Sequence, residues 1–213
     1  MNQERHIIAI VGQKFVGKDT FADYILEHSE IFSKWEKKAF ATSLKNVCKA
    51  AFHFSDFELS DPKEKEKKSA FWGYSPRELM QIIGTNLFRE QFDQNIWIKN
   101  LEMDLQNTTN NVIVTDVRFE NELVFLYDFC QNQKIKFTIV HILRPLEKNN
   151  SLHSSENHEW IQKYYQKWKI IPIENNGSIL DFQKKIQLLF GFSGSRHEEV
   201  TKLFANTSRC SLL

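Results

Sequence analysis

The chain has 213 residues, 41% of them hydrophobic, and its 28 lysines and arginines nearly balance 27 acidic residues, for a formal net charge of +1. This composition is that of a soluble globular protein with a sizeable core and excludes a disordered or fibrous chain. A charge so near neutrality argues against a protein whose main task is to coat nucleic acid, although a local basic pocket for a phosphorylated ligand stays open.

Targeting signals are not evident in the sequence. No apolar run approaches the roughly 20 residues that a membrane span needs, and the first five residues lack the basic-then-apolar layout of a signal peptide. Cys48, Cys130 and Cys210 are scattered and form no C-x-x-C pair, so neither a disulfide framework nor a zinc site is predicted. We therefore expect a cytoplasmic protein with reduced thiols and no membrane partner.

The hydrophobic pattern predicts strands that alternate with helices. Short β-branched apolar runs, typical of strands buried in a parallel sheet, lie at 6–11, 112–115, 137–143 and 170–173, with a weaker candidate at 39–41. Helices are predicted from about residue 18 and at 43–54, 76–91, 95–106, 119–132, 156–167 and 179–190. The charged stretch 61–68 is predicted to be a solvated loop or the exposed start of a helix. Strands alternating with helices imply βαβ units, and hence an α/β fold.

A phosphate-binding loop is predicted at residues 12–18, GQKFVGK, which follow the first strand and open the first helix. Such a loop wraps backbone N–H groups around phosphates, and the helix N-terminus adds its partial positive charge. Gly12, Lys14, Gly17 and Lys18 are therefore candidate ATP-binding residues, and the Lys18 ammonium would neutralise phosphate oxygens during transfer.

The two residues after Lys18 depart from the usual P-loop pattern. Asp19 occupies the position where serine or threonine normally reaches Mg²⁺, but a carboxylate is also a hard oxygen ligand for that ion. Thr20 supplies a hydroxyl one position later. Both residues join the predicted ATP and Mg²⁺ site.

A second candidate element is the apolar strand at 112–115, which delivers Asp116 and Arg118 at its carboxyl end. Ligands collect at that edge of parallel α/β sheets. Asp116 would orient Mg²⁺ or its water shell, and Arg118 would make a bidentate contact with a phosphate. The alternative is structural: Asp116 caps the following helix and Arg118 pairs with a nearby glutamate.

A third constellation lies on the helix that begins at Pro76, a residue suited to a first turn. Arg77, Gln81, Thr85 and Arg89 recur at i, i+4 spacing, so two guanidinium groups, an amide and a hydroxyl share one slanted stripe. Arginines can fork onto a monophosphate and glutamine can hydrogen-bond a base edge, which suits a phosphorylated nucleoside. A solvated helix face is the alternative.

Three segments in order resemble phage-type deoxynucleoside monophosphate kinases. Residues 12–20, GQKFVGKDT, resemble that family's P-loop, which typically ends in Gly-Lys-Asp-Thr. Residues 76–89, PRELMQIIGTNLFR, resemble its Arg–Glu–Leu–Leu–Gln–x–x–Gly–Thr–x–x–x–Arg segment, with Trp97 and Ile98 downstream. Residues 115–122, TDVRFENE, resemble its Asp–Val–Arg–Phe–x–Asn–Glu. Weaker matches lie at 40–45, 153–156 and 173–178.

The resemblance implies a P-loop NTPase three-layer fold: a central parallel sheet, helices on both faces, a helical NMP-binding insertion and a short lid. It implies a kinase domain over residues 1–190, with the acceptor-binding region at about 55–108, the lid at about 144–158, and a linker and tail at 191–213. By position, it implies that Lys18, Asp19 and Thr20 serve ATP and Mg²⁺, that Arg77, Gln81, Thr85 and Arg89 line the acceptor site, and that Asp116 and Arg118 lie at the junction. We further predict that Lys45 and Arg118 bind substrate, and that Lys18, Asp116, Arg118 and, in the lid, Arg144 are catalytic.

Three further signals lie towards the C-terminus. Arg144 and Lys148 are cationic candidates in the predicted lid, and solvated loop charges are an equal alternative. His153, Glu156 and His158 form no closed ligand set, so no metal site is predicted there. The final residues 210–213, CSLL, have the outline of a prenylation box, but no polybasic segment precedes them and a frayed tail is favoured.

The function implied by the resemblance is transfer of phosphate from ATP, with Mg²⁺, to a deoxynucleoside monophosphate for deoxynucleotide supply, in host cytoplasm if the source is viral. The alternatives are another small-metabolite kinase, such as a phosphomevalonate kinase, or a protein that binds nucleotide without catalysis. Base preference, ribose selectivity and a homodimer remain open. Nucleic acid is not an expected partner.

Overall fold

The computed structural model describes residues 5–28, 34–145 and 159–190, and the strands among them form one five-stranded sheet. The strands are β1 (His6–Val11), β2 (Trp35–Lys38), β3 (Asn111–Val117), β4 (Lys136–Leu143) and β5 (Ile170–Glu174). Their order across the sheet is β2-β3-β1-β4-β5. Parallel pairing joins β1 to β3, β1 to β4, and β4 to β5. The predicted α/β fold around a parallel sheet is confirmed.

The helices of the described residues connect these strands. They are α1 (Lys18–Glu27), α2 (Ala41–Phe52), α3 (Asp56–Ser60), α4 (Pro76–Gln81), α5 (Ile96–Gln106), α6 (Glu120–Gln133) and α7 (Ile179–Phe190). A π-helix (Ile82–Phe92) continues α4, and short 3₁₀ helices cover Glu64–Glu66 and Glu159–Tyr164. None of these helices combines the length and the apolar character needed to cross a bilayer.

The core of the sheet is layered because both faces of its central strand are apolar. All six residues of β1 are buried. Ile8 and Ile10 belong to an apolar cluster with Phe21 of α1 and with Phe182 and Ile186 of α7. Helix α6 contacts β1 and β4 and buries its own apolar residues outside that cluster. Helices therefore cover both faces of the sheet, as predicted.

The chain divides into two compact units, residues 1–37 with 110–213, and residues 38–109. The first unit contains most of the sheet. The second is helical and begins at residue 38. The sequence predicted an acceptor-binding region that begins later, at about residue 55. Helix α2 belongs to this second unit because its Cys48 shares an apolar cluster with Leu79 of α4, together with Phe54 and Leu59.

Two predicted elements are wrong in detail. The strand predicted at 39–41 lies earlier, at Trp35–Lys38, and Ala41 begins α2. The reason is that buried Trp35 joins the core cluster of the sheet, whereas the apolar triplet at 39–41 leads into a helix. The helix predicted at 156–167 contains a 3₁₀ helix (Glu159–Tyr164) in its described part. In this segment the rings of Tyr164 and Trp168 stack, with their centroids 4.2 Å apart. Packing of these aromatic rings accompanies the departure from a regular α-helix.

Within the helical unit, the predicted helix at 76–91 has the correct position but not the correct winding. It is α-helical to Gln81 and π-helical from Ile82 to Phe92. Ser75 caps its start, since its hydroxyl accepts from the Glu78 N–H while the Glu78 carboxylate accepts from the Ser75 N–H. The charged stretch 61–68 is a largely solvated turn with one short 3₁₀ helix, in agreement with the solvated-loop prediction.

A buried histidine starts β1. His6 is 8% exposed, and its Nε2 lies 2.8 Å from the Thr138 hydroxyl, so the ring is held as a neutral hydrogen-bonding group. Burial, and secondarily the nearby charge of Lys136, lowers the pKa of His6 to about 4. The unfolded chain binds a proton at this residue below pH 6.5, whereas the folded chain does so only near pH 4. Folding stability therefore falls as the pH drops through this window.

His6→Gln is expected to weaken the acid sensitivity of the fold. Between pH 7 and pH 5 the wild-type free energy of unfolding should fall by about 2 kcal/mol more than that of the variant, which has no titratable side chain at position 6. Urea unfolding of both proteins at the two pH values measures this difference. An equal fall in both proteins would contradict a neutral buried His6.

Candidate active site

The predicted phosphate-binding loop lies at the topological switch point of the sheet. Strand β1 lies between β3 and β4, so the chain connections on its two sides diverge at its carboxyl end, where ligands of such sheets bind. Residues 12–17 leave β1 there, and Gly17 is the N-cap of α1. Positive φ angles occur at Gly12 (153°), Phe15 (65°) and Gly17 (105°). The loop therefore turns sharply and aims the N-terminus of α1 at this edge.

The two loop glycines are required by close contacts as well as by backbone angle. A Cβ on Gly12 would lie 2.8 Å from the Ile142 carbonyl oxygen of β4. A Cβ on Gly17 would lie 2.6 Å from the side-chain nitrogen of Asn175, which follows β5. Since neither approach is compatible with a side chain, the loop is packed tightly against the ends of β4 and β5.

Asn175, which is distant from the loop in sequence, stabilises it. Its side-chain N–H donates to the Val16 carbonyl oxygen at 2.8 Å, and its backbone N–H donates to the Leu143 carbonyl oxygen at 2.7 Å. Asn175 is 8% exposed, so this bond is shielded from water. Its only signal in the sequence is the weak family match at 173–178, which did not make it a candidate site residue.

Lys18 lies against the loop that precedes it. Its ammonium donates to the carbonyl oxygens of Gly12 at 2.7 Å and Gln13 at 2.5 Å. The charge is thereby held next to the loop, where phosphate oxygens would compete with these carbonyls for it. Thr20 is partly buried in the first turn of α1, and the Lys14 ammonium lies over the Phe15 ring at 5.9 Å.

Asp19 forms an ion pair that was not predicted. The Lys37 ammonium of β2 lies 2.9 Å from the Asp19 carboxylate and 3.1 Å from Asp23. Burial disfavours the charged form of Lys37, but its hydrogen bonds to the two carboxylates outweigh this effect and raise its pKa. The Asp19 side chain is nevertheless 80% exposed, so it remains accessible to a ligand.

Asp116 lies at an irregularity in the sheet. Ala9 of β1 pairs with Val114 of β3, but Val11 pairs with Val117, so β3 contains one extra residue next to Asp116. Such bulges bend a strand and redirect a side chain, and they recur beside active sites. Asp116 is partly buried at the same carboxyl edge as the loop. The N-cap of α6 is Phe119, so the alternative that Asp116 caps this helix is wrong.

The turn that presents Arg118 is fixed by a buried carboxylate. Glu122 is 1% exposed and accepts from the backbone N–H groups of Arg118 at 2.8 Å and Phe119 at 3.1 Å. Glu120 accepts from the Tyr164 hydroxyl at 2.5 Å and from Lys163, and the bond from Lys163 is the main reason that the pKa of Glu120 is lowered. The sequence suggested Glu120 or Glu122 as a partner for the Arg118 side chain, whereas the bonds that Glu122 accepts here come from the backbone.

The predicted lid lies almost wholly outside the described residues. Arg144, its first residue, is exposed directly after β4. Lys148, His153, Glu156 and His158 lie outside the described residues, as does Cys210. Among residues 5–28, 34–145 and 159–190, no group of three or more His, Cys, Asp or Glu side chains is placed to hold a metal ion.

The predicted acceptor-binding residues other than Arg118 lie in the helical unit, where several have partners. Arg77 pairs with Glu66 and its side chain is 17% exposed. The Arg89 guanidinium donates to the Gln94 carbonyl oxygen at 3.3 Å, and Lys45 donates to the Ser60 hydroxyl at 3.1 Å. The four residues of the stripe, Arg77, Gln81, Thr85 and Arg89, are all partly buried. A fully solvated helix face is therefore not what this stripe forms.

The π-helix changes the spacing on which the stripe was predicted. Its hydrogen bonds run from residue i to i+5, so each residue turns through a smaller angle than in an α-helix. Four residues make slightly more than one turn of an α-helix, so side chains spaced i, i+4 shift around the axis in one direction. Four residues make less than one turn of a π-helix, so the same spacing shifts side chains in the opposite direction. The four residues Arg77, Gln81, Thr85 and Arg89 therefore stay closer to one line along the helix than a fully α-helical stripe of the same spacing would.

Asn175→Ala is expected to loosen the phosphate-binding loop. The buried Val16 carbonyl would lose its donor, which costs about 1–3 kcal/mol of stability, and the loop would sample other conformations. The dissociation constant of a non-hydrolysable ATP analogue, measured by calorimetry, should rise severalfold. Asn176→Ala is the matched control, since Asn176 is an exposed neighbour. Equal affinities in the wild type and both variants would show that Asn175 does not hold the site.

Comparison with known proteins identifies the relatives of this chain. A family model described as deoxynucleotide monophosphate kinase matches residues 59–186. A protein of Acanthamoeba polyphaga mimivirus, provisionally named a deoxynucleotide monophosphate kinase, is 29% identical over 196 residues, which are 84% of this chain and 93% of that protein.

Two phage enzymes match over shorter stretches. The deoxynucleotide monophosphate kinase of Enterobacteria phage T4 is 31% identical over 87 residues, 39% of this chain and 34% of that enzyme. The deoxynucleoside-5'-monophosphate kinase of Escherichia phage T5 is 38% identical over 65 residues, 30% of this chain and 25% of that enzyme. The family resemblance predicted from the three motifs is confirmed. The chain belongs to the deoxynucleotide monophosphate kinase family and is a phosphotransferase.

Proposed function

We propose that this chain transfers the γ-phosphate of ATP to a deoxynucleoside monophosphate, forming a deoxynucleoside diphosphate for DNA synthesis. The observation that supports this most strongly is the tightly packed loop at 12–17, with Lys18 held against it, in a chain of this family. A loop of this kind binds a phosphate chain, and the family supplies the class of acceptor.

The donor site is proposed to consist of the loop, the start of α1 and the end of β3. Backbone N–H groups between Gly12 and Gly17 would bind the ATP phosphates, and Lys14 and Thr20 would add contacts at either end. Lys18 would exchange its bonds to loop carbonyls for bonds to phosphate oxygens, which gain negative charge during transfer. Arg118, fixed through Glu122, would bring a second cation to the transferring group.

Mg²⁺ fits the residues present, provided that the nucleotide supplies most of its ligands. Asp19 and Asp116 are hard oxygen donors at the carboxyl edge of the sheet, and the described residues contain no larger cluster that would form a closed cage. Mg²⁺ in kinases typically uses one or two carboxylates plus phosphates and water. When bound, the ion would neutralise charge on the phosphate chain. Asp19 would exchange its bond to Lys37 for this role.

The acceptor is proposed to bind to the partly buried stripe of the helical unit. Arg77 and Arg89 present guanidinium groups suited to a monophosphate, while Gln81 and Thr85 present hydrogen-bonding groups suited to a base or sugar. Lys45 on α2 adds a further cation. Because Arg77 pairs with Glu66, the acceptor phosphate would compete with the Glu66 carboxylate for the N–H donors of the Arg77 guanidinium group.

The reaction requires no covalent enzyme intermediate. The acceptor phosphate oxygen attacks the γ-phosphorus in line with the leaving ADP, and the residues act by alignment, charge neutralisation and exclusion of water. Arg144, at the end of β4, is proposed to supply charge from the side of the predicted lid.

A coupled assay of ADP release with ATP and Mg²⁺ tests this proposal. The acceptors are dTMP, dGMP, dCMP, dAMP, their ribose counterparts and phosphomevalonate. Turnover of at least one deoxynucleotide is expected. Turnover of phosphomevalonate alone, or ATP binding without turnover of any acceptor, would contradict the proposal and favour a different metabolite kinase or a non-catalytic nucleotide-binding protein.

Lys18→Met is expected to reduce kcat in that assay by about 10²-fold or more, because the charge next to the phosphate-binding loop is lost. Lys49→Met is the matched control, since Lys49 forms an exposed ion pair with Asp56 on the other unit and has no proposed role. The Lys49 variant should keep wild-type kcat. Equal activity of the Lys18 variant would overturn the assignment of the donor site.

A further inference from the structure

The π-helix at Ile82–Phe92 is unusual in its length. π-helices occur mostly as single turns inside α-helices, often at functional sites, whereas this one extends over 11 residues. Its end is marked by a bond of the i to i+5 type, from the Asp93 N–H to the Phe88 carbonyl oxygen at 2.8 Å. Since this winding is less favourable than an α-helix, contacts from outside the segment are needed to keep it.

Trp97 of α5 makes two of these contacts. Its indole N–H donates to the Gly84 carbonyl oxygen at 3.0 Å, and the side chain is buried, with 4% of the residue exposed. Its ring also packs on Phe88, with ring centroids 5.3 Å apart. The Trp97 side chain therefore contacts the π-helix at two residues, Gly84 and Phe88, which are four positions apart.

Helix α2 approaches the same point from another direction. A Cβ on Gly84 would lie 2.6 Å from a terminal methyl carbon of Leu44. The absence of a side chain at Gly84 thus lets Leu44 pack against the backbone whose carbonyl binds Trp97. Three segments of the helical unit meet at this one residue.

The contacts of Trp97 each lie one residue before a proposed acceptor-binding side chain. Thr85 follows Gly84 directly, and Arg89 follows Phe88. Fixing the Gly84 carbonyl restricts the direction of the Thr85 side chain, and fixing the Phe88 ring does the same for Arg89. The spacing of the two contacts equals the spacing of the two functional side chains.

We propose that Trp97 is a positioning residue for the acceptor: by binding Gly84 and Phe88 it sets the π-helical winding and so aligns Thr85 and Arg89 for a deoxynucleoside monophosphate. This inference rests on the proposed function. Trp97 does not itself touch the acceptor. Its effect should therefore appear in acceptor binding and in the order of the π-helix, and not in ATP binding.

Trp97→Phe removes the indole donor and keeps an aromatic ring. Its matched control is Trp72→Phe, because the Trp72 indole also donates to a backbone carbonyl, that of Phe52 at 3.1 Å, but away from the π-helix. Two measurements are made on both variants and the wild type: hydrogen exchange of the amides at 82–93 without ligand, and KM for acceptor, KM for ATP and kcat with the preferred deoxynucleotide.

The expected result for Trp97→Phe is faster exchange across 82–93 and a KM for acceptor raised about fivefold, the equivalent of one lost hydrogen bond. Its KM for ATP and kcat should stay within about twofold of the wild type, and Trp72→Phe should change none of these values. Unchanged exchange and unchanged KM for acceptor in Trp97→Phe would overturn the inference. A parallel change in both KM values and kcat would also overturn it, since Trp97 would then be only structural.

The failure of the proposed function has a different signature. If the wild type phosphorylates no deoxynucleotide, the acceptor assignment fails for all three proteins alike. If the wild type is active but Trp97→Phe does not differ from Trp72→Phe in hydrogen exchange at 82–93 and in KM for acceptor, the positioning role of Trp97 is wrong. The proposed function then stands.

Discussion

The hydrogen bond from the buried Asn175 amide to the Val16 carbonyl is the interaction on which the conformation of the phosphate-binding loop depends. The positive φ angle of Phe15 is unfavourable for a non-glycine residue in a free chain, so contacts from elsewhere in the fold must hold the loop. Asn175 supplies such a contact from 159 residues away, and Gly17 has no side chain at the point where the amide approaches. The phosphate-binding loop is therefore complete only when β4 and β5 have joined β1.

The charged groups of the candidate site are already engaged within their own units. Lys18 binds two loop carbonyls, Asp19 binds Lys37, and Arg77 binds Glu66. Under the proposed function, phosphate groups would replace the loop carbonyls at Lys18 and Glu66 at Arg77, and Mg²⁺ would replace Lys37 at Asp19. Such exchange would avoid keeping bare charges buried, which is unfavourable.

The parallel sheet and the phosphate-binding loop could be predicted because a buried β-branched strand followed by a glycine-rich turn is a local signal. Asp116 and Arg118 could be located in the same way, because they lie at the carboxyl end of β3, while their roles stay predictions. Asn175 and Trp97 could not be assigned their roles, since each acts on a residue that is distant in sequence or on another helix. The π-helix was missed because its residues at i and i+4 show the pattern of an α-helix, whereas contacts with the segment come from Trp97 and Leu44 on other helices.

Direct transfer between nucleotides is the central claim, and the fate of a labelled γ-phosphate tests it most directly. With γ-³²P-labelled ATP, Mg²⁺ and the preferred deoxynucleoside monophosphate, the label is expected in the deoxynucleoside diphosphate, in a one-to-one ratio with the ADP formed. Label recovered as inorganic phosphate, or stably attached to the protein, would contradict a deoxynucleoside monophosphate kinase that works without a covalent intermediate.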